Sequence, residues 1–548
     1  MSHKTFDYVI VGAGSAGCTL ANRLSEDPAC SVALLEAGGW DYDPWIKIPL
    51  GWGRIFGKRL HDWMYFTEPE GALLGRRIEC ARGKVIGGSS SINAMAYVRG
   101  NAIDYARWAK AGCTLWSYPD VLPWFKKQET WEGGATAYRG GSGPLSTITS
   151  HYEDPVVEAW LAAGEAMGLP RNADYNAGVQ DGVALIQSTI RKGRRCSAAD
   201  AYLRPALARP NLTVLTGALA QSILFEGKRA TGISYRKSGM TVKVAAEREV
   251  ILCGGTINSP QLLMLSGIGP AEELGRHGIS IRVALPGVGE NLQDHLSVGV
   301  EYQRKQAGPF QQHMRADRIV SDLAKAYILG KGYATELPSG WTAFLRTQYA
   351  REAPDIQLLF RGGPMTGGPW LAPFKPPFED GFACRSVLLR PESRGRIRLA
   401  SADPAAAPLI YQNALSADAD WRTMRAGLRA VIEMGRQQSL GPFIARQTGP
   451  TSLNPNDDDL DRLIRETGAT AHHPLGTCRM GADTDEHAVV DPLLRVRGVE
   501  ALRVVDASVM PDLVGGNING PVIMIAERAA DFIRYPDRSG RTTGAIPA

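Results

Sequence analysis

"FDYVIVGAGSAGCTLANRL", Phe6–Leu24, is the stretch on which the fold turns. A β-rich run, Tyr8 to Val11, leads into Gly12, Gly14 and Gly17 at G-x-G-x-x-G spacing, and helical periodicity continues through Leu20 and Leu24. A second apolar run, "SVALLE", ends on Glu36, 19 residues beyond Gly17. The pattern is a βαβ unit of about 30 residues that grips a dinucleotide. Gly12 permits the tight turn, Gly14 lets the backbone approach a pyrophosphate, and Gly17 lets helix and strand pack closely. Ser15, Ala16 and Ala37 belong to the same candidate site. Glu36 can accept a hydrogen bond from a ribose 2′-hydroxyl, and its charge repels a 2′-phosphate, which disfavours NADP. A glycine triplet alone is a weak signal. Strand before, helix after and acid at the second strand's end make it a dinucleotide site without separating FAD from NAD.

The rest of the chain narrows the class. A length of 548 residues is too great for one ordinary core, so two domains built from interleaved segments are expected. Hydrophobic content of 44% and charged content of 21% are those of a globular protein, which excludes disordered and fibrous classes. The net charge is only +5 and no Lys/Arg run occurs, so a nucleic-acid partner is not expected. Eight cysteines are scattered without a C-x-x-C pair, so neither a metal site nor a disulfide framework is expected, and a reducing cytoplasm fits. No run of 18 apolar residues exists, so no integral membrane segment is expected. The N-terminus has the look of a signal peptide, but cleavage there would destroy the nucleotide motif.

A second motif, "ARGKVIGGSSSINAMAYVRG", runs from Ala81 to Gly100. By composition it is a flexible serine-rich loop. Apolar residues flank it on both sides, however, which predicts burial, and a buried loop needs partners for its N–H groups and hydroxyls. A pyrophosphate or the polar edge of a flavin would supply them. With this motif the sequence resembles the glucose–methanol–choline oxidoreductases, FAD-dependent enzymes that oxidise alcohols. The resemblance runs nearly end to end through "GKVIGGSSSINAM", "GGTINSPQLLMLSGIGP" (Gly254–Pro270), "LPGVGENLQDH" (Leu285–His295), "HPLGTCRMG", "VVDASVMP" and "NINGPVIMIAERAADFI". It implies an α/β (α+β) fold: a Rossmann-like FAD-binding domain with an inserted substrate domain on an antiparallel sheet backed by helices. The expected segments are 1–150, 191–300 and 456–548 for the FAD domain, and 151–190 and 301–455 for the substrate domain. Strand-like runs such as "DIQLLFRG" and a helical pattern after Asp418 agree with the latter. Asp457–Asp459 reads as a helix start, with acids complementing the N-terminal dipole, rather than a calcium site.

The resemblance also distributes roles. Some members link FAD covalently through a histidine just before the asparagine of the glycine–serine loop. Ile92 holds that position here, so the FAD is expected to be non-covalent. Val85, Gly88, Ser89, Asn93, Ala94 and Met95 are implied to line the flavin. Ala220 is implied to hold adenine through its backbone, Asp506 and Ala507 to touch the ribityl and pyrophosphate, and Asn517 and Pro521 to lie near the isoalloxazine edge. In "TAHHPLGTCRMG" (Thr470–Gly481) the histidine directly before proline, His473, is implied to be the catalytic base. An imidazole suits the task, because its ordinary pKa lies near working pH. Asn519 is implied to be its partner, orienting the alcohol oxygen; a cap before Pro521 is the bland alternative. Adjacent residues of an extended segment point to opposite faces, so His472 is expected to lie against the flavin or to be structural.

The substrate is less legible. Trp341, Phe344, Phe360 and Arg361 are candidates for the pocket, and the Gly- and Pro-rich stretch Gly362–Asp380 suggests a lid or entrance. The motifs look closest to bacterial alcohol, choline and sorbose dehydrogenases, yet no acidic and aromatic cluster marks a choline cage. A small alcohol is the expected substrate, with polyols, aromatic primary alcohols and pyridoxine-like alcohols all open. Oxygen or a quinone or dye is the expected electron acceptor, and a monomer or homodimer the expected state. A lyase that holds FAD without redox turnover and a non-catalytic flavoprotein are the rival classes.

Overall fold

The computed structural model describes residues 4–536. Two seven-stranded sheets organise them. In the first, Lys4–Val11 lies between Met240–Leu252 and Val32–Leu35, parallel to both, and Leu212–Leu215 extends the sheet beyond Val32–Leu35. Val32–Leu35 is buried throughout, as a parallel strand covered on both faces must be. Leu502–Val504 pairs with Met240–Leu252 in parallel, so the chain's late segment closes the sheet that its first segment opened. Two antiparallel strands, Leu219–Glu226 and Arg229–Lys237, form the far edge.

The turn after Lys4–Val11 is as tight as the glycine spacing demands. Gly12 adopts φ +101°, and a Cβ on Gly17 would lie 1.8 Å from the Gly12 carbonyl oxygen. Helix Ser15–Leu24 therefore starts hard against the strand end.

The second sheet is antiparallel and runs Ile444–Gly449, Leu296–Arg304, Gly381–Leu388, Ile356–Arg361, Trp341–Leu345, Gly182–Leu185. Strict alternation divides its faces. Ile356, Leu358 and Phe360 join Trp160, Trp341 and Phe382 in a core beneath helices Pro155–Ala166 and Asp418–Gly435. The intervening Gln357, Leu359 and Arg361 face the other way, toward the first sheet. The expected acidic helix start is present: Asn456 and Asp459 form a capping box on Asp457–Thr467.

Several details differ from the sequence reading. Leu296–Arg304 crosses the expected boundary at 300, and Ala469–Thr470 pairs with it in the second sheet. Trp341 and Phe344 do not reach the cavity between the sheets. Trp341 stacks on Trp160 at 5.1 Å beneath the helices, and Phe344 packs on Tyr175 at 5.3 Å. Large aromatic rings contribute more as packing between layers than at a polar site.

Candidate active site

One cavity of about 640 Å³ runs from the strand ends of the first sheet to the facing side of the second. Its first end is made by the glycine turn. Gly12, Gly14, Ser15, Ala16, Glu36 and Ala37 line it, with Ala220 across from them. Glu36 is buried, and each of its oxygens accepts one backbone N–H, from Ala13 at 2.9 Å and from Gly38 at 2.8 Å. Burial raises its pKa to about 7. Each oxygen keeps a free lone pair, so the carboxylate ties the turn together and can still accept from a hydroxyl. Gly17 does not line the cavity; its part is the close packing on Gly12.

The serine loop closes over the middle. It is buried, as its apolar flanks predict, and folds as a short 3₁₀ turn, Gly88–Ser91. Gly88 has φ +52°, and a Cβ there would come within 2.7 Å of Gly14 Cα. Two backbones thus meet where a side chain cannot fit, and both glycines line the cavity there as a Gly14–Gly88 slot. Gly88, Ser89, Asn93, Ala94 and Met95 line the cavity. Val85 does not: its side chain packs with Ile46, Ile55 and Ile92 behind the loop, where an aliphatic group belongs. The loop is held by a residue that the sequence reading missed. Arg195, fully buried, donates to the Ser90 carbonyl at 3.2 Å, the Asn93 carbonyl at 2.6 Å and Asn93 Oδ1 at 2.8 Å. Nothing in the local sequence marks it, because its partners lie about a hundred positions away.

Asp506 and Ala507 also line the cavity. The Asp506 carboxylate accepts from Gly255 N–H, Ser259 Oγ and Ser508 N–H, so it fixes the loop ends around the site rather than standing free. Pro521 lies in the first turn of helix Asn519–Arg534 and does not reach the cavity.

The two histidines stand at the far end. His472 has φ +64°, so the segment is not extended as expected, and both imidazoles line the cavity. Such a left-handed residue is strained and persists only where its surroundings hold it. Thr470 Oγ1 accepts the His472 N–H at 2.7 Å, and Arg82 donates to its carbonyl at 2.8 Å. The His472 ring meets Phe56 edge-on at 5.6 Å, and its buried Nδ1 has no partner in the protein. Burial and the nearby Arg82, Arg385 and Arg59 hold its pKa down to about 3.

His473 is held on all sides. Its N–H donates to Asp294 at 2.8 Å, its Nδ1 meets His295 Nδ1 at 2.9 Å, and its Nε2 meets Asn517 Nδ2 at 3.0 Å. His295 Nε2 faces the Leu389 carbonyl at 3.1 Å. A carbonyl only accepts, so the neutral His295 ring carries its proton on Nε2 and offers a lone pair at Nδ1. His473 must then carry its proton on Nδ1, which leaves the Nε2 lone pair to accept from the Asn517 amide. Burial lowers the His295 pKa to about 4, and burial, His295 and His472 hold that of His473 well below its ordinary value. Both rings are neutral near pH 7.

The expected pairing of His473 with Asn519 is corrected by this geometry. Asn517, not Asn519, touches the imidazole. Asn519 Oδ1 accepts from Ser15 Oγ at 2.7 Å, at the glycine-turn end, and it does not cap the helix through its side chain. Asn517 lies in the loop ahead of the helix and Asn519 is its first residue, and their side chains reach opposite ends of the site, His473 and Ser15. His295 and Asp294 were legible only as part of "LQDH"; their contact with a residue 178 positions later was not.

The fit for a dinucleotide flavin is good on these observations. The cavity has the Gly14–Gly88 slot at its middle, a carboxylate at one end, and the unpartnered His472 Nδ1 with a neutral base at the other. Among the described residues, no cluster of His, Cys, Asp or Glu is disposed to hold a metal.

Comparison with known proteins places the chain. Family models of the GMC oxidoreductases match residues 6–297 and 391–526. An oxygen-dependent choline dehydrogenase of Pseudomonas syringae pv. tomato is 43% identical over 549 aligned residues, 99% of this chain and 96% of the relative. A solved pyridoxine 4-oxidase from "Mesorbium loti" superposes with a TM-score of 0.86 at 33% identity, covering 97% of this chain and 99% of the other. A formate oxidase of Aspergillus oryzae RIB40 gives 0.88 at 27% identity, covering 98% and 100%. The chain belongs to the GMC oxidoreductases. It is an FAD-dependent enzyme that oxidises a CH–OH donor.

Proposed function

We propose that this enzyme oxidises a small alcohol to an aldehyde or ketone with His473 as the base, Asn517 as the group that orients the alcohol oxygen, and His295 as a positioning residue. The carrying observation is the chain Leu389 carbonyl–His295–His473–Asn517. It fixes the tautomer of His473 so that Nε2 carries the lone pair, which accepts from the Asn517 amide, and an alcohol oxygen entering between the two would take over both contacts. An alcohol oxygen there donates its proton to Nε2 and accepts from the Asn517 amide, which stabilises the alkoxide as it forms. Bound FAD supplies the hydride acceptor. An imidazole of such low basicity is a poor match for a free alcohol, so proton removal becomes favourable only as the hydride leaves the same carbon. Exclusion of water by the buried walls serves that coupling.

FAD is read as bound without a covalent link, with its pyrophosphate at the Gly14–Gly88 slot, Glu36 at the ribose, Asn519 and Ser15 beside the phosphates, and His472 against the flavin. The first sheet with its appended segments is read as the cofactor domain and the second as the substrate domain. The electron acceptor is oxygen or another small oxidant. A lyase and a non-catalytic flavoprotein are both disfavoured by relatives named as dehydrogenases and oxidases.

The test is anaerobic mixing with a panel of alcohols. Bleaching of the flavin absorbance with formation of the matching carbonyl product is expected. A flavin that stays oxidised with every alcohol would overturn the reading.

A further inference from the structure

The second sheet presents Leu359 and Arg361 to the cavity, with Gln357 buried on the same face, and Arg385 pairs with Leu359 on the next strand. Gln357 Nε2 lies 3.4 Å from Asn517 Oδ1, so it marks the catalytic end. Leu359 and its neighbour Arg385 are one strand repeat further out, about 7 Å along the sheet.

Arg385 lines the cavity, yet has no carboxylate within ion-pair distance among the described residues. Its guanidinium is satisfied only by the carbonyl of Ser297 at 3.1 Å and Ser297 Oγ at 2.7 Å. Of the other cavity arginines two are ion-paired, and Arg82, like Arg385, has only uncharged acceptors. Arg59 pairs with Asp62 at 2.8 Å, Arg361 pairs with Glu301 at 3.0 Å, and Arg82 donates to the Ala81 and His472 carbonyls. The cavity's acids are committed. Asp62 and Glu79 face Arg59, and Glu336 accepts from Ser150 Oγ and the His151 N–H. Close to the histidines the balance is set by Arg82, Arg385 and Arg59, all three of which act on the His472 ring, so the field at the reacting end is positive. Burial lowers the Arg385 pKa only to about 10, so it stays a cation.

Resting on the reading that this site oxidises alcohols, we infer that the substrate is an anionic alcohol, a short hydroxy acid whose carboxylate is held by Arg385 and Ser297. With its hydroxyl between His473 and Asn517, such a molecule reaches the guanidinium across a few carbons. A planar guanidinium with unused N–H groups matches a carboxylate's two oxygens. Choline, the alcohol in the names of several relatives, carries the same charge as Arg385, whose one nearby acid, Glu301, is already paired with Arg361.

The experiment compares three alcohols of similar size under anaerobic conditions: a hydroxy acid series of two to five carbons, the matching neutral diols, and choline. The same panel is run on Arg385→Gln and Arg385→Lys. The inference expects kcat/KM to favour a hydroxy acid over its diol, and the ratio to fall about ten- to a hundredfold in Arg385→Gln, chiefly through KM, with partial recovery in Arg385→Lys. A non-oxidisable carboxylate such as propionate should shift the flavin spectrum of the wild type and do so far more weakly in Arg385→Gln, a readout independent of turnover. Equal use of diols or choline, or a ratio unmoved by Arg385→Gln, overturns the charge inference while alcohol oxidation stands. Failure of all three alcohol classes to reduce the flavin overturns both.

Discussion

Asn517 and Asn519 stand two positions apart and do different work. The motif "NINGP" made both legible as site residues, but choosing between them needs the course of the loop into the helix, which sequence spacing from a distant histidine does not carry. Asn517→Ala should slow flavin reduction about tenfold or more, by loss of one hydrogen bond to the developing alkoxide, while FAD stays bound. Asn519→Ala should instead loosen FAD, read as flavin lost on gel filtration, because its contact is Ser15. The reverse pattern would mean that the two roles have been exchanged. His295 makes a prediction in pH. Its folded pKa of about 4 lies below the unfolded 6.5, so the unfolded chain takes up a proton first on acidification. Its contribution to stability is whole above pH 6.5, declines below it, and is lost by about pH 4, at a cost of about 3 kcal/mol. Asp294 and Glu36, with raised pKa values, act in the opposite sense and His472 in the same one, so the His295→Asn difference reports His295 together with its effect on His473. Denaturant melts of both proteins from pH 7.5 to 4.5 should show a shallower fall for the variant; parallel curves would contradict a buried neutral His295. The same variant should slow flavin reduction and shift its pH profile, because the His473 tautomer is no longer fixed, whereas a purely structural His295 would leave the profile in place.

Among the elements, the glycine turn and its strand–helix unit were fully legible, because the motif is local and each residue's job is steric. Strand alternation was legible in principle as well. "DIQLLFRG" places Ile356, Leu358 and Phe360 on one face and Gln357, Leu359 and Arg361 on the other, which separates the two faces of the sheet, although Phe360 borders the cavity as well as the core. Aromatic size misled the reading toward Trp341 and Phe344, which pack between layers. Arg385, a charge within the apolar strand "GFACRSVL", was the overlooked signal. The serine loop depends on Arg195, and no local pattern shows that. Arg195→Met should leave the Ser90 and Asn93 carbonyls without a donor in a buried place, at about 1–3 kcal/mol for each unsatisfied group. The expected result is a purified protein with sharply reduced flavin content and a lower Tm. Full flavin retention would show that the loop holds its shape by its own turns.

At the scale of the whole molecule, residues from both ends of the chain share one sheet, and the second sheet lies across the cavity that results. Order in sequence therefore says little about proximity at the site: Ser15 meets Asn519 across 504 positions. Ile92 stands in the loop where relatives can carry a linking histidine, and it offers only carbon. Acid precipitation should release all of the FAD into the supernatant, and flavin in the pellet would contradict a non-covalent site. No helix among the described residues is long and apolar enough to cross a membrane. His473 is the group on which the proposed proton transfer depends. Anaerobic stopped-flow of the FAD-loaded enzyme with a reducing alcohol should show flavin reduction about 10²–10⁴ times slower in His473→Ala than in wild type, with His472→Ala affected much less. A His473→Ala variant that reduces its flavin at the wild-type rate, with His472→Ala slow, would contradict it.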